Sequence, residues 1–182
     1  MRIISGSARG RKIKVPKTTL RPLSDQARES LFNILAKLVP DSIFLDLFAG
    51  SGAVGLEALS RGAKLSMFVE RERKAVEVIR ENIEDLGFSD RSEVYSIDAL
   101  RALKIFQKNN AKFDIIFMGA PYGSPDLAKA LKFIGESGFL SPNGVLIAEH
   151  RFKSILEDVY GVLKKIREER YGDTVFSFYK PA

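Results

Sequence analysis

From Asp41 onward, short apolar runs alternate with stretches whose apolar residues recur every three or four positions. The runs Ile43–Leu47, Leu65–Glu70, Glu93–Ile97, Phe113–Met118 and Val145–Glu149 predict strands, with helices between them near 53–61, 73–86, 99–109 and 125–136. Near-continuous apolar strands joined by helices of crossover length are the pattern of a parallel sheet covered on both faces. The expected class is therefore α/β. Upstream, Arg2–Ser5 and Lys12–Val15 alternate polar and apolar at period two around Gly6-Ser-Ala-Arg-Gly10, which predicts a small N-terminal β-hairpin. Pro16 and Pro22 end it. Ser24-Asp25 then offers a cap for a helix from 25 to about 38, with Ala27, Leu31, Ile34, Leu35 and Leu38 on one face.

The C-terminal stretch reads differently. Tyr171-Gly-Asp-Thr174 has turn chemistry and separates Leu163–Arg170 from Val175–Tyr179, predicting a hairpin that adds antiparallel edge strands. The charge pattern of Leu163–Arg170 fits a helix equally well. No internal repeat or low-complexity tract interrupts the chain, so the expected organisation is an arm over 1–24 and one domain over 25–182.

Composition narrows the chemistry. The 182 residues are 45% hydrophobic and 10% aromatic, a globular balance that excludes disorder as the main description. No apolar run reaches the roughly 20 residues of a membrane span, and Met-Arg-Ile-Ile-Ser-Gly lacks the apolar core of a signal peptide, so a cytoplasmic protein without membrane contact is expected. With no cysteine and one histidine, disulfides, thiolate nucleophiles and cysteine- or histidine-rich metal sites drop out. The net charge of +6 is local: residues 1–28 hold Arg2, Arg9, Arg11, Lys12, Lys14, Lys17, Arg21 and Arg28 against Asp25 alone. A basic arm is the electrostatic footprint of a phosphate backbone, and it is also what a solubilising surface looks like.

The candidate site lies in Asp46-Leu-Phe-Ala-Gly50-Ser-Gly52-Ala-Val-Gly55, a G-x-G-x-x-G between a predicted strand and a predicted helix. Glycines there let the backbone turn sharply and approach a ligand, and Glu70 ends the next strand, where a carboxylate can hydrogen-bond ribose hydroxyls. A nucleoside-containing cofactor is implied. Asp46 discriminates among such cofactors: a carboxylate there repels a pyrophosphate but attracts the sulfonium and α-ammonium of S-adenosylmethionine. The same residue also reads as a buried carboxylate satisfied by backbone. Asp98 suits either the adenine amine or the cap of the helix from 99. The fourth strand runs into Gly119-Ala-Pro121-Tyr122, at the sheet edge where α/β folds bind ligands. Tyr122 can stack on a nucleobase while loop carbonyls accept the hydrogens of an amine, or the segment is a turn with Tyr122 as a surface lid. His150 is expected at the surface after the fifth strand, and Phe133 and Phe139 in the core.

Two strings, Asp46-Leu-Phe-Ala-Gly-Ser-Gly-Ala-Val-Gly-Leu-Glu-Ala-Leu-Ser-Arg-Gly-Ala63 and Arg21-Pro-Leu-Ser-Asp-Gln-Ala-Arg-Glu-Ser-Leu-Phe-Asn-Ile-Leu35, resemble the RsmD-type bacterial methyltransferases. The likeness extends to Arg2-Ile-Ile-Ser-Gly and Gly10-Arg-Lys-Ile-Lys-Val-Pro16. It implies a class I, Rossmann-like fold with a seven-stranded sheet, using S-adenosylmethionine to methylate the N2 amine of a guanine in small-subunit (16S) ribosomal RNA. It further implies cofactor contacts from Asp46, Phe48, Gly50 and Gly52, ribose recognition by Glu70, and adenine recognition around Asp98 and Ala99. RNA contacts would come from Arg2, Arg9, Arg11, Lys12, Lys14, Arg21 and Arg28, on ribosomal RNA within a small-subunit assembly particle, with the enzyme a monomer.

One departure stands out. In the family the loop after strand four reads Asp-Pro-Pro-Tyr/Phe, whereas Gly119, Ala120, Pro121 and Tyr122 occupy those catalytic positions here. Loss of a preorganised polar partner of this kind typically costs about 10²–10³ in rate. Asp114 lies at the wrong end of its strand to replace the acid, and Asp126 is nearer in sequence. A catalytically weakened relative that keeps RNA and cofactor, and an NAD-dependent oxidoreductase, are the competing readings.

Overall fold

Ser24 starts the first helix by accepting the Ala27 N–H at 3.2 Å, giving α1 over Asp25–Ile34. The helix ends at Ile34 with Leu35 as its cap, short of residue 38; the chain then turns, with the Leu38 and Val39 N–H groups both donating to the Leu35 carbonyl, and Leu38 is left exposed. The computed structural model describes residues 1–17 and 22–182. After α1 come β1 (Ile43–Leu47), α2 (Ala53–Ser60), β2 (Leu65–Val69), α3 (Arg73–Leu86), β3 (Ser92–Tyr95), α4 (Ala99–Lys108), β4 (Phe113–Met118) and α5 (Asp126–Ser137). Four further strands close the chain: β5 (Leu140–Arg151), β6 (Val159–Tyr160), β7 (Leu163–Tyr171) and β8 (Thr174–Pro181).

The strands form one sheet of eight in the order β3-β2-β1-β4-β5-β8-β7-β6. β1 to β5 are mutually parallel, and β8, β7 and β6 join antiparallel. The sheet therefore has one strand more than the seven expected; β6 is only two residues long and carries no period-two signal. Helix packing buries Leu45, Leu47, Ile116, Met118 and Leu146 on one face, and Phe44, Ile115, Phe117, Val145 and Ile147 on the other. This alternation of neighbours along β4 and β5 is the geometric reason both faces are apolar.

The N-terminal segment makes a single antiparallel bridge, Arg2 with Lys12, rather than a sustained hairpin. Ile3, Ala8 and Ile13 are buried against Leu56, Leu59, Ile79 and Ile83 of α2 and α3. Backbone donors are met from the body: Glu57 accepts the N–H of Ile4 at 2.8 Å and of Ser5 at 3.0 Å, Ser60 Oγ accepts from Ala8, and Asn82 accepts from Lys14. Gly6 has φ +87°, and a Cβ there would fall 1.8 Å from the Ser60 carbonyl oxygen. Gly6→Ala should therefore destabilise the protein by more than about 1 kcal/mol, read as a lowered denaturant midpoint.

Candidate active site

The carboxyl ends of β1, β2, β4 and β5 border a cavity of about 340 Å³, with the segment after β3 completing its wall. Its floor is set by the glycine loop. Phe48, Gly50 and Gly52 adopt φ of 68°, 57° and 76°, so the chain reverses tightly before α2, and all but Gly52 line the cavity. Glu70 fixes this loop by accepting the Gly50 N–H at 2.9 Å with one oxygen and the Glu72 N–H at 2.8 Å with the other. Gly55 stands elsewhere: a Cβ there would fall 2.4 Å from the Phe68 ring, so this glycine serves helix-on-strand packing rather than ligand approach.

Asp46 is the buried, backbone-satisfied carboxylate of one sequence reading, and it also stands at the cavity. Its side chain is buried and accepts the Gly55 N–H at 2.9 Å, yet it borders the cavity. Burial pushes its pKa up to about 8, against the Gly55 bond, and the nearby charges of Glu70 and Glu149 push the same way. Asp98 likewise does two things: it caps α4 by accepting from Leu100 and Arg101, and it lines the cavity beside Ala99. Six acidic side chains, those of Asp46, Glu70, Glu72, Asp98, Asp126 and Glu149, face this space with Arg71, whose guanidinium is 3.8 Å from Asp126. Such a field favours a cationic ligand and repels a pyrophosphate.

Gly119, Ala120, Pro121 and Tyr122 all line the cavity, with Ala120 buried and Tyr122 partly exposed. The Tyr122 hydroxyl donates to Glu149 Oε1 at 2.8 Å and lies 3.2 Å from Thr174 Oγ1. The Arg151 guanidinium sits over the Tyr122 ring at 5.0 Å, so one ring face is already covered. Burial and the adjacent Glu149 push the Tyr122 hydroxyl up to about 12.

Glu149 is the site residue that sequence reasoning missed. A carboxylate ending an apolar strand at the ligand edge was the signal that found Asp46 and Glu70, and it applies equally to Glu149. The carboxyl is held above its usual range by burial, with the Tyr122 hydrogen bond pulling the other way. His150, expected at the surface, is instead buried: Nε2 pairs with Ser177 Oγ at 2.8 Å and Nδ1 lies 2.9 Å from the Arg151 carbonyl oxygen. Neighbours along a strand face opposite ways, which separates His150 from the cavity that Glu149 borders. Asp114 accepts the Ile43 N–H at the far end of β4. Phe139 is buried, and Phe133 stacks on it half-buried.

Among the basic candidates, Arg2, Arg9, Arg11 and Lys12 are exposed. Lys14 is exposed but lies 3.1 Å from both Glu81 and Asp85, which neutralise it. Arg28 is a correction to the expected RNA contacts: it is fully buried, donating to the Arg2 carbonyl and to Asp25, with Glu57 3.8 Å from its Nε. Arg21 lies outside the described residues.

Known proteins resemble this chain along nearly its whole length. The protein-family description "Conserved hypothetical protein 95" matches residues 1–180. The provisionally named rRNA methyltransferase YlbH of Bacillus subtilis is 40% identical over 181 residues, covering 99% of this chain and 98% of that protein. Ribosomal RNA small subunit methyltransferase D of Escherichia coli K12 is 32% identical, covering 99% and 89% respectively. Among solved structures, a hypothetical protein of Thermus thermophilus, TTHA0928, superposes with a TM-score of 0.87 at 30% identity, covering 99% of each chain.

Proposed function

The chain belongs to the RsmD-type methyltransferase family, and on that premise we propose that it uses S-adenosylmethionine to methylate the N2 amine of a guanine in small-subunit (16S) ribosomal RNA. The observation that carries this reading is the acidic cavity at the carboxyl edge of the sheet, with the buried Asp46 at its floor. A buried carboxylate with one backbone donor and, among the described residues, no ion-pair partner suits a positively charged ligand, and the surrounding acids speak against a dinucleotide and hence an oxidoreductase. Asp46 and the turn of Phe48, Gly50 and Gly52 would hold the cationic amino-acid end, Glu70 the ribose, and Asp98 with Ala99 the adenine. The bound group supplies an activated methyl on sulfur. The chain's own contribution is to seat the amine beside the Gly119–Tyr122 loop, exclude water, and hold the amine's hydrogens.

The exposed Arg2, Arg9, Arg11 and Lys12 would dock phosphates of the RNA, positioning it without reading its sequence. No described helix is long and apolar enough to cross a membrane. We place the protein in the cytoplasm, as a monomer acting on a small-subunit assembly particle. A binding-only relative is the second reading, favoured by Gly119 in place of the family acid.

The deciding experiment is transfer of labelled methyl to small subunits lacking the modification, with mature subunits as control. Label in guanine N2 is expected; cofactor and RNA binding without incorporation would select the second reading. Cofactor affinity should also depend on pH. Asp46 holds its proton until about pH 8 in the free protein, and a bound cation favours the ionised form, so binding expels that proton. Affinity should therefore rise as the pH climbs toward about 8 and level off above it, and calorimetry should find this proton release absent in Asp46→Asn.

A further inference from the structure

Gly119 stands where the family carries its acid, but the space beside it is not empty of charge. A Cβ placed on Gly119 would lie 3.0 Å from Glu149 Oε2, so the Glu149 carboxylate, reaching across from the end of β5, occupies the region an acid on residue 119 would fill. It borders the cavity. Its other oxygen is fixed by the Tyr122 hydroxyl at 2.8 Å, itself 3.2 Å from Thr174 of β8, so Oε1 is anchored while Oε2 is the oxygen nearer the loop. A carboxylate held at one oxygen and turned toward a reacting amine is a preorganised acceptor.

We propose that Glu149 is the catalytic carboxylate of this chain, accepting a hydrogen of the guanine N2 amine with Oε2 in place of the missing loop acid. This rests on the guanine-N2 methylation proposed above. The amine nitrogen forms the new C–N bond as the methyl–sulfur bond breaks, the bonding pair stays on sulfur, and the surplus N–H proton passes to Glu149 and then to solvent. The second amine hydrogen is left to a loop carbonyl, Gly119 or Ala120.

Glu149→Gln keeps the side-chain shape and an acceptor for Tyr122, and should lower single-turnover methyl transfer at saturating cofactor by about 10²–10³ with the melting temperature near native. The double variant Gly119→Asp/Glu149→Ala moves the acid to the family position and should recover most of that loss, which a purely structural Glu149 could not produce. A binding readout separates this inference from the reaction it rests on. The native chain should bind a guanosine-containing oligonucleotide about tenfold tighter than its inosine counterpart, which lacks the N2 amine, and Glu149→Gln should lose that preference. If the native chain discriminates but transfers no methyl, the acceptor stands and the reaction is wrong. If it methylates guanine N2 and Glu149→Gln matches it in rate and preference, Glu149 is not the acceptor. Neither methylation nor discrimination would overturn both.

Discussion

Gly119→Asp, which reinstates the acid of the family loop, is expected to lower methyl transfer by about tenfold to a hundredfold in the otherwise native chain. The backbone is no obstacle, since Gly119 is not among the residues at positive φ. The obstacle is what the side chain meets: its Cβ would be 3.0 Å from Glu149 Oε2 and 3.1 Å from a Phe117 ring carbon. Overpacking of this kind costs about 1–3 kcal/mol. The new carboxylate also joins one already buried, and two such groups in one site cannot both ionise, so one of the pair would hold a proton where an acceptor is needed. Initial rates, with cofactor binding measured in parallel by calorimetry, check the expectation. A rate increase would mean that Glu149 leaves the acceptor position unfilled.

Glu57→Ala is expected to cost about 3–5 kcal/mol of folding stability. Glu57 and Arg28 are both fully buried, and Glu57 also accepts from Arg61 Nε at 2.7 Å and from two backbone donors of the N-terminal segment. Removing it leaves the Arg28 guanidinium without its buried counter-charge, when that guanidinium already has Nε and Nη1 lacking hydrogen-bond partners. It also strips the acceptor from Ile4 and Ser5. Replacing both charges, Arg28→Met with Glu57→Leu, should recover part of the loss because no fully buried ion is left unpaired. Denaturant unfolding measures both; a loss below about 1 kcal/mol for Glu57→Ala would mean that water reaches Arg28.

The parallel half of the sheet was legible because each strand is a short apolar run bounded by helical periodicity. β1 and β4 begin and end where the pattern places them, at Ile43–Leu47 and Phe113–Met118. β5 was legible only from Val145, since Pro142-Asn143-Gly144 interrupts the apolar run that begins the strand at Leu140. β7 was ambiguous for a different reason. A bulge between Lys165 and Arg167 breaks the alternation and turns Ile166 outward, 55% exposed, so neither period fits the segment cleanly. The wall of the cavity formed by the glycine loop and the ends of β1 and β2 was legible through its glycines and strand-end acids. The position of Glu149 at a strand end was legible in the same way, but its pairing with Gly119 and Tyr122 was not, because they come from another strand's loop and only the fold brings them together. Arg28 marks the limit of counting charge: a tally of basic residues says nothing about which side chains point inward.

β8 follows β7 in the chain but pairs inside the sheet, with β5 on one side and β7 on the other. The β7–β8 hairpin is thus attached to the parallel strands through β8 alone, which makes the β5–β8 seam a natural boundary for sub-global opening. Thr174, one of the two partners of the Tyr122 hydroxyl, belongs to this hairpin. A transient detachment would cut that support and free the β5 edge beside Glu149 and Arg151, so the amides that β5 and β8 bond across this seam should share one opening free energy, while those β8 bonds to β7 stay protected. Order in the cavity would then be set partly by a hairpin that contributes no acid to it.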